Sequence, residues 1–268
     1  MNPILLAVIV VSAIGLIAGL GLSIASKIFA VPVDEKAEQI RECLPGANCG
    51  ACGYSGCDGY AAALSKGETT DTALCAPGGN DTAKAIGEIT GLAAGEVKPM
   101  AAVVLCQGHN VNATTKLEYQ GVYSCKMASQ IFGGPKDCIY GCIGYGDCMA
   151  VCEYDAITIC DGIARINPYL CKACKMCVKT CPKGLIEMMP LEETKAAVLC
   201  KNHDKGALTR KECTAGCIGC MKCVKECEAG AVTIDRFCAT VDYEKCTGCG
   251  KCHAVCPVGA IDVITLIK

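Results

Sequence analysis

The chain has 268 residues, 27 of them cysteine, with no Trp, 4% aromatic residues and a formal net charge of −2. So little aromatic side chain excludes one large apolar core, and near-neutrality leaves no basic surface for nucleic acid, so no nucleic-acid partner is expected. Cysteine at about a tenth of the residues reads as a disulfide scaffold in a short secreted protein, but here the spacing of the cysteines decides otherwise.

Residues Pro3 to Ser26 carry no charged side chain and run PILLAVIVVSAIGLIAGLGLSIAS. At about 1.5 Å per residue this is enough to cross a hydrocarbon layer of about 30 Å. One transmembrane helix, residues 1–28, is therefore expected in contact with membrane lipid. A cleaved signal peptide is the alternative, and the missing positive leader and the long apolar run count against it. Lys27, Lys36 and Arg41 follow the span, whereas the short N-terminal side has no Lys or Arg. The positive-inside tendency then places the cysteine-rich body on the cytoplasmic side of a cell membrane, where thiols stay reduced.

A short amphipathic helix is expected in DEKAEQIREC, leading into LPGANCGACGYSGCDGYAAALSKGE. Cys49, Cys52 and Cys57 lie in a glycine-rich loop, and Cys75, followed by Ala-Pro-Gly-Gly, is the expected fourth ligand of a cluster. The glycines let backbone approach the cluster and aim amides at its sulfurs. Taken alone, this group also suits zinc. Residues 29–80 are assigned to this N-terminal 4Fe-4S domain, and residues 81–137 to a linker and the start of a first repeat.

The rest of the chain repeats itself. AAVVLC ending at Cys106 matches KAAVLC ending at Cys200, and GCIGYGDCMAVC, residues 141–152, aligns without a gap on GCIGCMKCVKEC, residues 216–227. Each copy continues into a pair of apolar runs typical of a hairpin. The two modules are placed at 138–190 and 191–268.

In the second module Cys217, Cys220, Cys223 and Cys227 follow C-x2-C-x2-C-x3-C, and Cys246, Cys249, Cys252 and Cys256 repeat it with Pro257 next. That is the pattern of a two-cluster 4Fe-4S ferredoxin, in which each motif lends its last cysteine to the other cluster. The sets are Cys217, Cys220, Cys223 and Cys256, and Cys246, Cys249, Cys252 and Cys227. A zinc site has no use for the third closely spaced thiol.

In the first module Tyr145 stands where the second has Cys220. Cys138, four residues before Cys142, is the expected replacement, which puts Cys138, Cys142, Cys148 and Cys181 on one cluster and Cys152, Cys171, Cys174 and Cys177 on the other. Five 4Fe-4S clusters are expected in all. Cys43, Cys106, Cys125, Cys160, Cys200, Cys213 and Cys238 are left over, and a lone one reads as a small buried apolar residue. Cys106 and Cys200 recur at one place in the repeat, as do Cys138 and Cys213. The sequence contains no dinucleotide fingerprint after a strand, no P-loop and no nucleophile with a partner base, so no catalytic residue is assigned.

The order of a membrane helix, LPGANCGACGYSGC with APGG after Cys75, and doubled ferredoxin motifs resembles the B subunit of the Rnf complex, a membrane ferredoxin:NAD oxidoreductase. The resemblance implies cluster ligands at Cys49, Cys52, Cys57 and Cys75 and at the regular ferredoxin motifs. It also implies that the chain takes electrons from reduced ferredoxin and relays them to other subunits of the membrane complex. There they serve NAD reduction coupled to sodium or proton translocation. A stand-alone membrane-tethered polyferredoxin serving another oxidoreductase is the alternative. The expected fold is α+β: an N-terminal transmembrane helix, a small α-rich 4Fe-4S domain and two ferredoxin-like two-cluster modules.

Overall fold

The computed structural model describes residues 3–28, 34–191 and 193–265. The boundary expected after residue 28 borders residues 29–33, which lie outside the described residues. Helix α1, Pro3–Ile28, has Lys27 as the basic residue of its last turn. Its stretch Val8–Lys27 has a mean hydropathy of 2.5 and is not buried against the rest of the chain. A helix this apolar and uncovered by protein has the length and composition of a membrane span.

Helix α2, Glu35–Cys43, starts at Asp34, whose carboxylate accepts the backbone N–H groups of Lys36 at 3.1 Å and Ala37 at 3.2 Å. This satisfies donors that the first turn leaves without partners. Helices α3, Cys57–Ser65, and α4, Gly79–Thr90, complete a small core built on Ile40, Tyr60, Leu64 and Ile86. α4 packs into this core, although its segment reads as a connecting helix and linker, because its 82, 83, 86 and 87 positions form one buried stripe. Beyond it, the Thr72 hydroxyl donates to the carbonyl of Ala93 and accepts the N–H of Gly95 at 2.8 Å, tying the chain back to the same unit.

The first module runs through β1 (Met100–Val104), α5 (Cys125–Ser129), α6 (Asp147–Ala150), β2 (Ile157–Cys160), β3 (Ile163–Ile166), α7 (Met176–Thr180) and β4 (Ile186–Pro190). The second repeats the plan with β5 (Thr194–Val198), α8 (Gly206–Glu212), α9 (Lys222–Glu226), β6 (Val232–Asp235), β7 (Cys238–Val241), α10 (Lys251–Ala254) and β8 (Ile261–Thr265). In each, the first and last strands pair antiparallel, β1 with β4 and β5 with β8, and the middle two form a hairpin. The hairpin turns place Asp161 and Gly162, and Arg236 and Phe237, at positive φ, as two-residue turns that match strand twist require. The first module's sheet thus begins at Met100, well before residue 138, because β4 needs β1 as its partner. Ala101, Met189 and Leu191 of the first module pack against Ala197 and Leu199 of the second, joining the two outer strand pairs.

Candidate iron-sulfur sites

The cysteine loops share one backbone. The residues on either side of the middle cysteine are left-handed: Ala173 and Lys175 around Cys174 (φ 55° and 60°), Gly219 and Met221 around Cys220 (64° and 63°), Gly248 and Gly250 around Cys249 (70° and 75°). Gly144 and Gly146 do the same around Tyr145, at 85° and 84°, so the loop that lacks a cysteine keeps the fold of a cluster loop. The loops also touch the sheet: a Cβ on Gly219 would lie 2.7 Å from the carbonyl oxygen of Phe237, and one on Gly248 would strike that of Thr194.

This folding gathers thiols in fours. Cys217, Cys220, Cys223 and Cys256 line one cavity of about 320 Å3, and Cys152, Cys171, Cys174 and Cys177 line another of about 350 Å3. Burial pushes the Cys252 thiol up, and the closeness of Cys246, Cys227 and Cys249 pushes it the same way. In the N-terminal domain Cys57 opens α3, and Asn48 Oδ1 accepts its backbone N–H at 2.9 Å. Burial likewise raises Cys75, and Cys57, Cys49 and Cys52 are close enough to add to the effect. Protons leave such crowded thiols readily only when a cation takes their place, which is the chemistry of iron binding.

The surroundings of the sulfurs suit that chemistry. Backbone N–H groups point at Cys246 Sγ from Ala196 and Gly248, both at 3.4 Å, at Cys217 Sγ from Ala239 at 3.4 Å, and at Cys256 Sγ from Ala260 at 3.3 Å. In the first module Ala102 N–H reaches Cys171 Sγ at 3.5 Å, matching Ala196 and Cys246. Donors of this kind stabilise negative charge on metal-bound sulfur and tune its potential.

Cys138, expected in a set with Cys142, Cys148 and Cys181, lines a different cavity. Cys142, Cys148 and Cys181 line a third cavity, of about 370 Å3, and the fourth cysteine on its wall is Cys125, not Cys138. Burial pushes the Cys148 thiol up to about 12, with Cys142, Cys125 and Cys181 as the closest contributors after it. Cys125 reaches this place because Asp147, beside Cys148, accepts the N–H groups of Cys125 and Lys126, both at 2.9 Å, and the Ser124 hydroxyl at 2.8 Å. Cys138 is carried away by the turn in which Gly141 N–H donates to its carbonyl at 3.3 Å. It faces Cys106, Cys200 and Cys213 instead. Spacing alone contains no sign of Cys125, since it sits in a stretch with no equivalent pattern in the second module. Tyr145 packs its ring 4.6 Å from that of Tyr123 and 5.7 Å from that of Tyr119.

The groups abut one another. Lys179, on α7 just past Cys177, donates from Nζ to the carbonyl of Cys49 at 3.0 Å, so the N-terminal loop rests on the first module's second motif.

Two family models match the chain: one for an Fe-S cluster over residues 44–77 and one for a 4Fe-4S binding domain over residues 239–262. Among curated proteins, the B subunit of the Na(+)-translocating ferredoxin:NAD(+) oxidoreductase complex of Acetobacterium woodii is 43% identical over 91% of this chain and 73% of its own length. The B subunit of the ion-translocating oxidoreductase complex of Methanosarcina acetivorans is 40% identical over 88% of this chain and 92% of its own. That of the proton-translocating ferredoxin:NAD(+) oxidoreductase complex of Clostridium ljungdahlii is 36% identical over 90% and 85%.

Proposed function

The chain belongs to the B-subunit family of ion-translocating oxidoreductase complexes, the Rnf family, and from that premise we propose how it works. It is an iron-sulfur electron-transfer subunit of a membrane oxidoreductase complex, and it reads as a relay with no bond-making site of its own. Its donor is reduced ferredoxin and its acceptors are further subunits of the complex, where NAD is reduced and sodium ions or protons are moved. α1 anchors it in the lipid, with Lys27 and the cysteine-rich body on the cytoplasmic side.

Five thiol sets carry this reading: Cys49, Cys52, Cys57 and Cys75; Cys152, Cys171, Cys174 and Cys177; Cys125, Cys142, Cys148 and Cys181; Cys217, Cys220, Cys223 and Cys256; and Cys227, Cys246, Cys249 and Cys252. Bound 4Fe-4S clusters supply one-electron transfer at moderate to low potential. The chain's own residues hold each cluster with four thiolates, donate backbone N–H groups to the sulfurs, and keep the sets in contact through links such as Lys179 to Cys49. Cys152 and Cys181, and Cys227 and Cys256, cross between the two sets of their module, so each pair is held at fixed separation.

The observation that carries the reading most directly is the gathering of thiols in fours in successive, touching loops, more than a simple carrier needs. Anaerobic purification in mild detergent tests it. The chain should come away with other membrane subunits, and reduced ferredoxin should bleach its iron-sulfur absorbance. Recovery of the chain alone with its clusters intact would favour a stand-alone polyferredoxin.

A further inference from the structure

We propose that Cys106, Cys138, Cys200 and Cys213 hold a further 4Fe-4S cluster at the seam between the two modules, a sixth centre that links their electron paths. The inference rests on the iron-sulfur reading of the neighbouring motifs and adds a site that their spacing does not contain.

The four thiols are buried and line one cavity of about 400 Å3, similar in size to those lined by three of the regular sets of four. They come from two places in each module that the repeat makes equivalent. Cys106 and Cys200 each lie two residues past the strands that begin with Met100 and Thr194. Cys138 and Cys213 each lie four residues before the first cysteine of a motif, Cys142 or Cys217. Each module thus contributes two ligands, and neither could close a cage alone.

The hydrogen bonds follow the same symmetry. Cys106 Sγ accepts N–H groups from Gly108 at 3.3 Å and from Cys142 at 3.4 Å. Cys200 Sγ accepts them from Asn202 at 3.4 Å and from Cys217 at 3.3 Å. One donor stands two residues on and one comes from another segment, which is how Cys246 is served by Gly248 and Ala196. The Asn202 side chain, itself 1% exposed, donates from Nδ2 to Cys138 Sγ at 3.5 Å. A neutral thiol is a weak acceptor, so donors converging in this way suit thiolates.

Lys136 supplies an independent sign of negative charge. It lines the same cavity, is 6% exposed, and donates from Nζ to the carbonyls of Gly108 and Gly162, both at 2.7 Å. No carboxylate pairs with it among the described residues. A buried ammonium needs an anion nearby, and thiolates holding a cluster would provide it.

Cys238 shows what a structural cysteine looks like here. It is fully buried, its thiol donates to the carbonyl of Cys200 at 3.2 Å, and Ile163 fills the matching position of the first module. The four proposed ligands differ from it in lining one cavity beside Lys136, and Cys106, Cys138 and Cys200 differ also in the N–H groups that their sulfurs accept.

The location gives the site its role. The amide that donates to Cys106 belongs to Cys142, a proposed ligand in the first module, and the amide that donates to Cys200 belongs to Cys217, its counterpart in the second. A single residue therefore connects this site to the next set on each side. One electron received from one module would be passed as one electron to the other, leaving the linking centre in its starting state.

Iron, zinc and acid-labile sulfide are measured on the anaerobically purified full chain, separated from other subunits, in its wild-type form and as Cys106→Ser/Cys213→Ser, with Cys238→Ala as a control. About 24 iron and 24 sulfide per chain are expected for the wild type, about four fewer of each for the double variant, and no loss for the control. A wild type with about 20 iron, or a double variant that keeps every iron, overturns the sixth site and leaves the five-cluster reading standing. One zinc per chain that disappears in the double variant overturns the cluster assignment. Little iron in the wild type overturns the iron-sulfur reading and this inference with it. If the double variant loses all metal through misfolding, the wild-type count decides between about 24 and about 20.

Discussion

The carboxylate of Asp147 accepts the backbone N–H of Cys125 at 2.9 Å, fixing the start of α5 against the cysteine loop that contains Tyr145. Cys125→Ser should cost about four iron per chain while the other sets keep theirs. Asp147→Ala leaves every sulfur in place but frees three donors, and should lower the stability of the loaded chain by roughly 1–3 kcal/mol. Iron analysis of the first variant and thermal unfolding of the second check the pair. Full iron in Cys125→Ser would remove it from the ligand set.

Tyr145 should be replaceable without loss of metal. Its ring stacks among Tyr119 and Tyr123 while Cys125 stands on the wall of the cavity beside it. Tyr145→Phe should therefore leave iron content and the electron paramagnetic resonance of the reduced chain unchanged. Tyr145→Ala should cost about 0.5–1.5 kcal/mol for each lost aromatic pair. A shift of one cluster's spectrum in the Phe variant would make the phenol oxygen a ligand.

Gly248→Ala should be far more damaging than its size suggests. Gly248 is at φ 70°, and its Cβ would strike the Thr194 carbonyl at the start of β5. The left-handed backbone alone costs roughly 1–2 kcal/mol for an alanine, and relieving the clash means moving the loop off the strand. The expected result is a lower unfolding temperature and faster loss of iron in air. Gly184→Ala is a comparison with left-handed strain alone, since a Cβ at Gly184 meets nothing within 4 Å.

Removal of the clusters should unfold the modules. Their strands are four or five residues long, and the buried residues around them include the cysteines themselves. Such thin cores leave much of the folding free energy to metal binding. Chelation after oxidation should abolish near-UV circular dichroism and cooperative melting, and a chain that melts cooperatively without iron would contradict this.

Deletion of residues 1–28 should release the protein from membranes with its iron retained. The large apolar side chains of α1 from Val8 to Ile24 are exposed, and none of its Val8–Lys27 stretch is buried against the cluster domains. Fractionation of cells expressing the shortened chain, with iron measured in each fraction, reads both outcomes. Iron-free shortened protein would mean that α1 also supports cluster assembly or folding.

The regular motifs were legible because their geometry is local. Three thiols spaced by two residues on a tight loop must face one point, so Cys217, Cys220 and Cys223 could be grouped from spacing alone, as could the long N-terminal helix from its unbroken apolar run. The repeat likewise marked Cys106 with Cys200, and Cys138 with Cys213, as equivalent. Equivalence does not say what lies opposite what. Whether Cys138 turned toward Cys142 or away depended on the turn at Gly141, and the arrival of Cys125 depended on Asp147 reaching across 22 residues. The meeting of two thiols from each module needed the outer strands of both to pack together. Those outcomes follow from contacts between segments far apart in the chain, which tertiary packing decides and local spacing does not encode.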